Sequence, residues 1–139
     1  MVKVFIVEDD PLMVKMYSKA FQLSGYEVES AFNGEEALKK LGEMKPKPTL
    51  ILLDVMMPKL NGLDVLRQLK QDADLKKIPV IMLTNLAGEE DAEKALKLGA
   101  VVYLVKSEYE PKQVVAKVKE VVAGYTRGAI PEVKETAKK

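Results

Sequence analysis

The apolar positions of this chain fall into short unbroken runs separated by amphipathic stretches, and the run Leu50-Ile51-Leu52-Leu53 anchors the pattern. It meets Asp54 and then a turn-forming stretch through Pro58 and Asn61-Gly62. Such a run fits a strand buried on both faces, although periodicity alone does not separate it from a buried helix. Val2–Val7, rich in β-branched and aromatic residues, predicts a strand ending at Glu8-Asp9. Ile78–Leu83 predicts another, ending at Thr84-Asn85, with Pro79 tolerated at its start. Val101–Val105 predicts the last, ending at Lys106-Ser107. Tyr26–Ala31 is different: it alternates apolar and charged residues, as a half-exposed edge strand does.

Between these runs the period changes to that of a helix. Asp10-Pro11 is a start signal, with Asp as N-cap and Pro where its missing N–H costs nothing. Leu12, Met16, Ala20 and Leu23 then recur at helical spacing until Gly25. Asn33-Gly34-Glu35-Glu36 repeats the signal, and Ala37, Leu38, Leu41 and Met44 supply an inner face before the breaker Lys45-Pro46-Lys47-Pro48. Asn61-Gly62 opens a third helix with Leu63, Leu66 and Leu69 inward. Gly88 to Asp91 puts acids in the first turn of a fourth, which Gly99 ends. A fifth starts near Pro111, buries Val114, Val115, Val118, Val121 and Val122, and stops about Gly124. Strand and helix alternate five times, which predicts an α/β domain with a parallel sheet. Residues 125–139 read as a helix extension or a frayed tail, with no room for a second domain.

Composition narrows the chemistry. The 139 residues are 47% hydrophobic and 31% charged with a formal net charge of +1, ordinary for one globular domain. No global field recruits nucleic acid or an anionic membrane. There is no cysteine and no histidine, which excludes thiolate and imidazole metal sites, disulfides and histidine-activated nucleophiles. No apolar run approaches the ~18 residues of a spanning helix. The expectation is a soluble, cytoplasmic protein.

In a parallel sheet, Glu8, Asp9, Asp54, Thr84 and Lys106 all stand at the carboxyl ends of strands, the edge where open α/β sheets bind ligands. Three crowded carboxylates raise each other's pKa unless a cation neutralises them. Hard oxygen donors suit Mg²⁺, a metal of phosphate chemistry. Lys106 supplies a point charge for a phosphoryl oxygen and Thr84 a hydroxyl donor. With no His or Cys, the nucleophile falls to a carboxylate, and Asp54 is central.

These residues, with their spacing, resemble the receiver domain of bacterial response regulators over residues 2 to about 124, taken here as a domain of residues 1–124. Glu8 and Asp9 fall on the family's acidic pair, and Asp10 on the capping position after it. Asp54-Val55-Met56-Met57-Pro58 with Gly62 is similar to the phosphoacceptor motif. Thr84 matches the switch threonine, Gly99-Ala100 precedes the fifth strand, and Tyr103 and Lys106 match the switch aromatic and the phosphate-binding lysine. The resemblance implies a flavodoxin-like doubly wound sheet of five strands in order 2-1-3-4-5 with five helices. It implies Mg²⁺ held by Glu8, Asp9, Asp54 and the Met56 carbonyl, and phosphorylation of Asp54 by a histidine kinase or phosphotransfer protein. It also implies a shift of the face built from the fourth helix, fifth strand and fifth helix toward an unidentified downstream protein. One departure is Ser107, where the family usually has Pro, often after a cis peptide. A cis bond before Ser costs ~2.5–4 kcal/mol, so a trans peptide is expected, and the reach of Lys106 depends on it.

Each of these residues also has a plainer reading. Asp10 is simply a cap, Glu8 and Asp9 a solvated acidic turn, Lys106 a snorkelling surface lysine, and Thr84 and Tyr103 strand-packing side chains. Met13, Met16, Met56, Met57 and Met82 read as core fillers or loop residues. Three functions compete: a stand-alone phosphoacceptor switch, not an enzyme on a separate substrate; a haloacid-dehalogenase-type phosphatase; and an interaction module. The phosphatase needs an acid two residues after its nucleophile, where Met56 stands. A DNA-binding regulator needs an output domain, and this length leaves no place for one.

Overall fold

The computed structural model describes residues 2–57, 60–86, 88–126 and 135–136. In chain order the elements are β1 (Lys3–Val7), α1 (Pro11–Leu23), β2 (Glu27–Ala31), α2 (Gly34–Glu43), β3 (Leu50–Leu53), α3 (Gly62–Gln71), β4 (Val80–Thr84), α4 (Glu89–Leu98), β5 (Val102–Val105), α5 (Pro111–Thr126) and β6 (Glu135–Thr136). The sheet runs β2-β1-β3-β4-β5-β6, all parallel. The five expected strands stand in the expected flavodoxin-like order. Beyond them β6 pairs Glu135 and Thr136 with Val102 and Tyr103 of β5, a strand that no periodicity signals. Of the segment 125–139, α5 takes in two residues past Gly124, and residues 127–134 and 137–139 lie outside the described residues.

The continuous apolar runs are the central strands. Every residue of β3, β4 and β5, and all of β1 after Lys3, is buried. β2, at the far edge, alternates as its sequence alternates. Helices cover both faces, α1 against α5 and α2 beside α3 beside α4, as right-handed crossovers in this strand order require.

Local rules set the helix ends. Asp10 caps α1 by accepting from Leu12 N at 3.0 Å. Asn33 Oδ1 accepts from Glu36 N at 2.8 Å, while Glu36 reaches back to Phe32 N at 2.7 Å. At the end of α1, Gly25 takes φ 87°. Gly25 N and Tyr26 N return to Gln22 O and Phe21 O at 3.0 and 3.1 Å, and the Phe21 and Tyr26 rings stack at 5.9 Å. That is a Schellman end with its hydrophobic contact. The inward face of α1 is Val14, Tyr17 and Phe21. The helical recurrence of Leu12, Met16 and Leu23 marks the helix correctly but sits on its outer side, where all three are exposed.

The loop between β3 and α3 is held by a close backbone approach at Gly62. Its N–H donates to Val55 O at 2.8 Å, and a Cβ there would come within 2.0 Å of Asp54 O. Only a hydrogen fits between the start of α3 and the exit of β3. Gly62→Ala is expected to lower unfolding stability by about 2–3 kcal/mol, because rigid backbone must move. Gly42→Ala, with open space around its position in α2, is expected to be neutral or to gain up to ~1 kcal/mol. Urea unfolding of the two variants side by side checks the contrast; equal stability would mean that the Gly62 approach is not constraining.

Candidate phosphoacceptor site

The parallel order brings the carboxyl ends of β1, β3, β4 and β5 to one rim, and backbone bonds tie those ends together. Glu8 N donates to Ala31 O and Asp54 N to Val7 O, each at 3.1 Å. A cavity of about 350 Å³ opens there, and Glu8, Asp9, Asp54, Met56, Thr84 and Lys106 all line it. Four separate segments therefore converge as the strand-end pattern requires.

Lys106 organises the charges. Its Nζ donates to Asp54 Oδ2 at 3.1 Å and to Glu8 Oε1 in a short contact, bridging sequence separations of 52 and 98 residues. Glu8, Asp54 and the Lys106 side chain are all buried, whereas Asp9 is exposed. The other Glu8 oxygen accepts from Asp10 N at 3.1 Å, and Asp54 Oδ1 accepts from Met56 N at 3.2 Å. Both carboxylates are thus oriented by backbone as well as by the ammonium. Burial lifts the Glu8 carboxyl above its ordinary range, against the bond and charge of Lys106. Burial works against the charged form of Lys106, but the bond to Glu8 and the charges of Asp54 and Glu8 hold its pKa above the ordinary lysine value. The peptide after Lys106 is trans; among the described residues only Lys45–Pro46 is cis. Ser107 in place of Pro does not keep the lysine from the acids.

The donor set fits a hard divalent cation. Glu8, Asp9 and Asp54 can each offer an oxygen with all three lying within 4.8 Å of one another. Ligands bound to Mg²⁺ at about 2.1 Å stand about 3 to 4 Å apart, so a small contraction closes the set. Three carboxylates against one ammonium leave two negative charges unbalanced.

The two expected switch residues occupy different places. Thr84 is fully buried at the end of β4, lines the cavity, and its hydroxyl accepts from Leu86 N at 3.4 Å. Tyr103 lies inside the fold and is absent from the cavity wall; its hydroxyl donates to Leu86 O at 2.8 Å. The β4–α4 loop is thus tied to both. Sequence reasoning read Met13 only as a core filler or loop residue, reached Asn85 only through the family resemblance, and passed over the Leu86 carbonyl. A backbone acceptor carries no residue signature, and Met13 joins the cavity wall only because α1 starts at Pro11. Tyr17 was also missed. Buried on the inner face of α1, its phenol is raised by burial and feels Lys106, Glu8 and Asp54.

Residues 4–119 match the response regulator receiver domain family, and the chain belongs to it. It is 41% identical over 120 residues to the alkaline phosphatase synthesis transcriptional regulatory protein PhoP of Bacillus subtilis, covering 86% of this chain and 48% of that protein. It is 35% identical over 133 residues to the phosphate regulon transcriptional regulatory protein PhoB of Klebsiella pneumoniae, covering 96% of this chain and 57% of that one. The chain therefore spans about half the length of these relatives. Among solved structures it is similar to the chemotaxis protein CheY4 of Vibrio cholerae, with a TM-score of 0.80 and 31% identity over 87% of this chain and 98% of that one. A CheY-like receiver domain protein of Methanospirillum hungatei superposes with a TM-score of 0.85 at 26% identity, over 92% and 98% of the two chains.

Burial, with the carboxylates of Asp91 and Asp54, pushes the Tyr103 phenol up to about 12. A folded pKa above the unfolded value of ~10 favours the neutral phenol in the fold. Its contribution to stability is complete below pH ~10 and is lost as pH rises through about 12. Urea midpoints are expected to fall across that window, and to fall less in Tyr103→Phe. An unchanged slope in the variant would assign the loss to other groups.

Proposed function

We propose that this domain is a phosphoacceptor switch of a two-component or phosphorelay system, with Asp54 as the acceptor. The observation that supports the reading best is the buried bridge from Lys106 to Glu8 and Asp54 beside three carboxylates able to share one cation. Asp9, Asp54 and the Met56 carbonyl would hold Mg²⁺, with Glu8 through water; the ion supplies charge neutralisation on the phosphoryl oxygens. A carboxylate oxygen of Asp54 attacks the phosphorus carried by a histidine of the partner kinase or phosphotransfer protein. The P–N bond breaks, the imidazole leaves with the electron pair, and an acyl phosphate forms. Lys106 then donates to a phosphoryl oxygen in place of one of its carboxylate partners, and the Thr84 hydroxyl turns from Leu86 N to donate to another.

The signal passes through a population shift. Moving Thr84 toward the phosphoryl group repositions Leu86, whose carbonyl anchors Tyr103, and the α4–β5–α5 face follows. Hydrolysis of the acyl phosphate resets the switch, so the domain promotes its own modification and its reversal without turning over a separate substrate. No described helix is long and apolar enough to cross a membrane; a cytoplasmic location belongs to the proposed partnership with a kinase. The relatives' names describe transcriptional regulators, and the stretch shared with them carries the proposed acceptor site, whose downstream target would be a protein.

Incubation with Mg²⁺ and acetyl phosphate, followed by intact-mass measurement, is expected to show one added phosphoryl group. Asp54→Asn should show none, chelation of Mg²⁺ should abolish the gain, and Lys106→Met should slow it by about 10²-fold, the usual cost of losing one charge-stabilising donor. An unmodified wild type, or equal modification of Asp54→Asn, would overturn the assignment. Rapid consumption of donor without bound phosphate would point to a phosphatase.

A further inference from the structure

A second concavity, of about 540 Å³, lies beside the acceptor cavity between the β3–α3 and β4–α4 loops. Its floor is Val55 and Met57, both buried, and its walls are Met56, Leu63 and Leu86. Met56 is 59% exposed, an outlay of apolar surface in an unbranched, adaptable side chain suited to changing partners. The volume falls within the ~300–1,000 Å³ of ordinary binding pockets.

The rim is acidic. Asp9 and Asp91 line the groove, and Glu89 and Glu90 stand exposed beside Asp91 in the first turn of α4. A helix N-terminus favours negative charge, but its dipole is equivalent to only about half a positive charge. Three full carboxylates exceed what the helix end requires. The chain as a whole carries a formal charge of +1, so the acidity is local to this surface.

We propose that this groove is a docking site for a short basic amphipathic segment of a partner protein. Its apolar side chains enter between Met56, Leu63 and Leu86, and its lysines or arginines meet Asp91 and the acids beside it. Leu86 gives the site its second property. The residue that forms one wall also accepts the Tyr103 hydroxyl and faces the Thr84 hydroxyl through its own N–H. Occupancy of the groove and the state of the switch are therefore linked, each changing the other by the same factor. The docking chemistry rests on the groove alone; the linkage rests on the phosphoacceptor reading.

The test uses the full chain labelled with ¹³C at the methionine methyls, titrated with a sixteen-residue amphipathic Leu/Lys peptide and with its Leu/Glu counterpart. The Leu/Lys peptide is expected to shift Met56 and Met57 and to leave Met16, exposed on α1, unmoved. The Leu/Glu peptide should bind at least about tenfold more weakly, and both Asp91→Lys and Leu63→Lys should weaken the Leu/Lys peptide by about tenfold. Loss of binding with added salt supports the electrostatic rim. Equal shifts at Met16, no shift at Met56 and Met57, or affinity indifferent to both substitutions would overturn the docking site. With phosphoryl uptake followed by mass, an affinity that changes at least about threefold on modification supports the linkage, and an unchanged affinity in modified protein overturns it. A protein that takes up no phosphoryl group yet binds at Met56 and Met57 would leave the groove standing and remove the switch reading.

Discussion

Burying Glu8 and Asp54 at the rim of an apolar sheet would cost several kcal/mol for each charge if they stood alone. Lys106 makes the arrangement possible, because one ammonium reaches both carboxylates from the end of a different strand. The compensation is incomplete. Burial still dominates at Glu8, whose carboxyl is raised despite its bond to the lysine, and Asp9 adds a further negative charge nearby. The residual electrostatic deficit makes the rim costly to build, and it is the same deficit that suits the three carboxylates to a shared divalent cation.

That deficit can be held in place only by a stiff frame. The strand ends are laced by backbone bonds from Glu8 to Ala31 and from Asp54 to Val7, which fix where each carboxylate leaves the sheet. On the far side of Asp54, Gly62 brings the start of α3 against the Asp54 carbonyl, so the Asp54 peptide is clamped between a strand and a helix. The apolar core beneath is continuous from β1 to β5, and a displaced strand end would have to drag buried side chains with it. Above this frame, Leu86 in the β4–α4 loop is tied to the end of β4 through Thr84 and to β5 through Tyr103.

The order and type of the first five strands and five helices were legible in the residues because four strands are apolar runs, β2 alternates in polarity as an edge strand does, and each helix carries its own boundary signals. Asp10, Asn33 and Asn61 cap the helices they announce, and Gly25 and Gly99 adopt the positive φ that their places after helices suggest. The charged and hydroxyl residues of the site were legible for the same reason: each follows an apolar run, and a parallel sheet sends every such end to one side. Less was legible where two faces of a helix compete. The spacing of Leu12, Met16 and Leu23 is helical, yet α1 buries Val14, Tyr17 and Phe21 instead, because the sheet beneath selects the face and aromatic rings fill the depth against β1 and β2.

Sequence by itself determined the alternation of strand and helix, the caps, the apolar strands and which polar residues stand at their ends, since these depend on neighbours a few positions apart. Tertiary structure alone decided that Lys106 bridges Glu8 and Asp54, that Gly62 abuts Asp54, that Tyr103 bonds the carbonyl of Leu86, and that β6 lies outside β5. Those contacts join separate elements of the fold, and backbone groups take part in all but the Lys106 bridge. Their geometry follows from packing the whole domain, because neither a carbonyl's direction nor the reach of a lysine is encoded in the residues beside it.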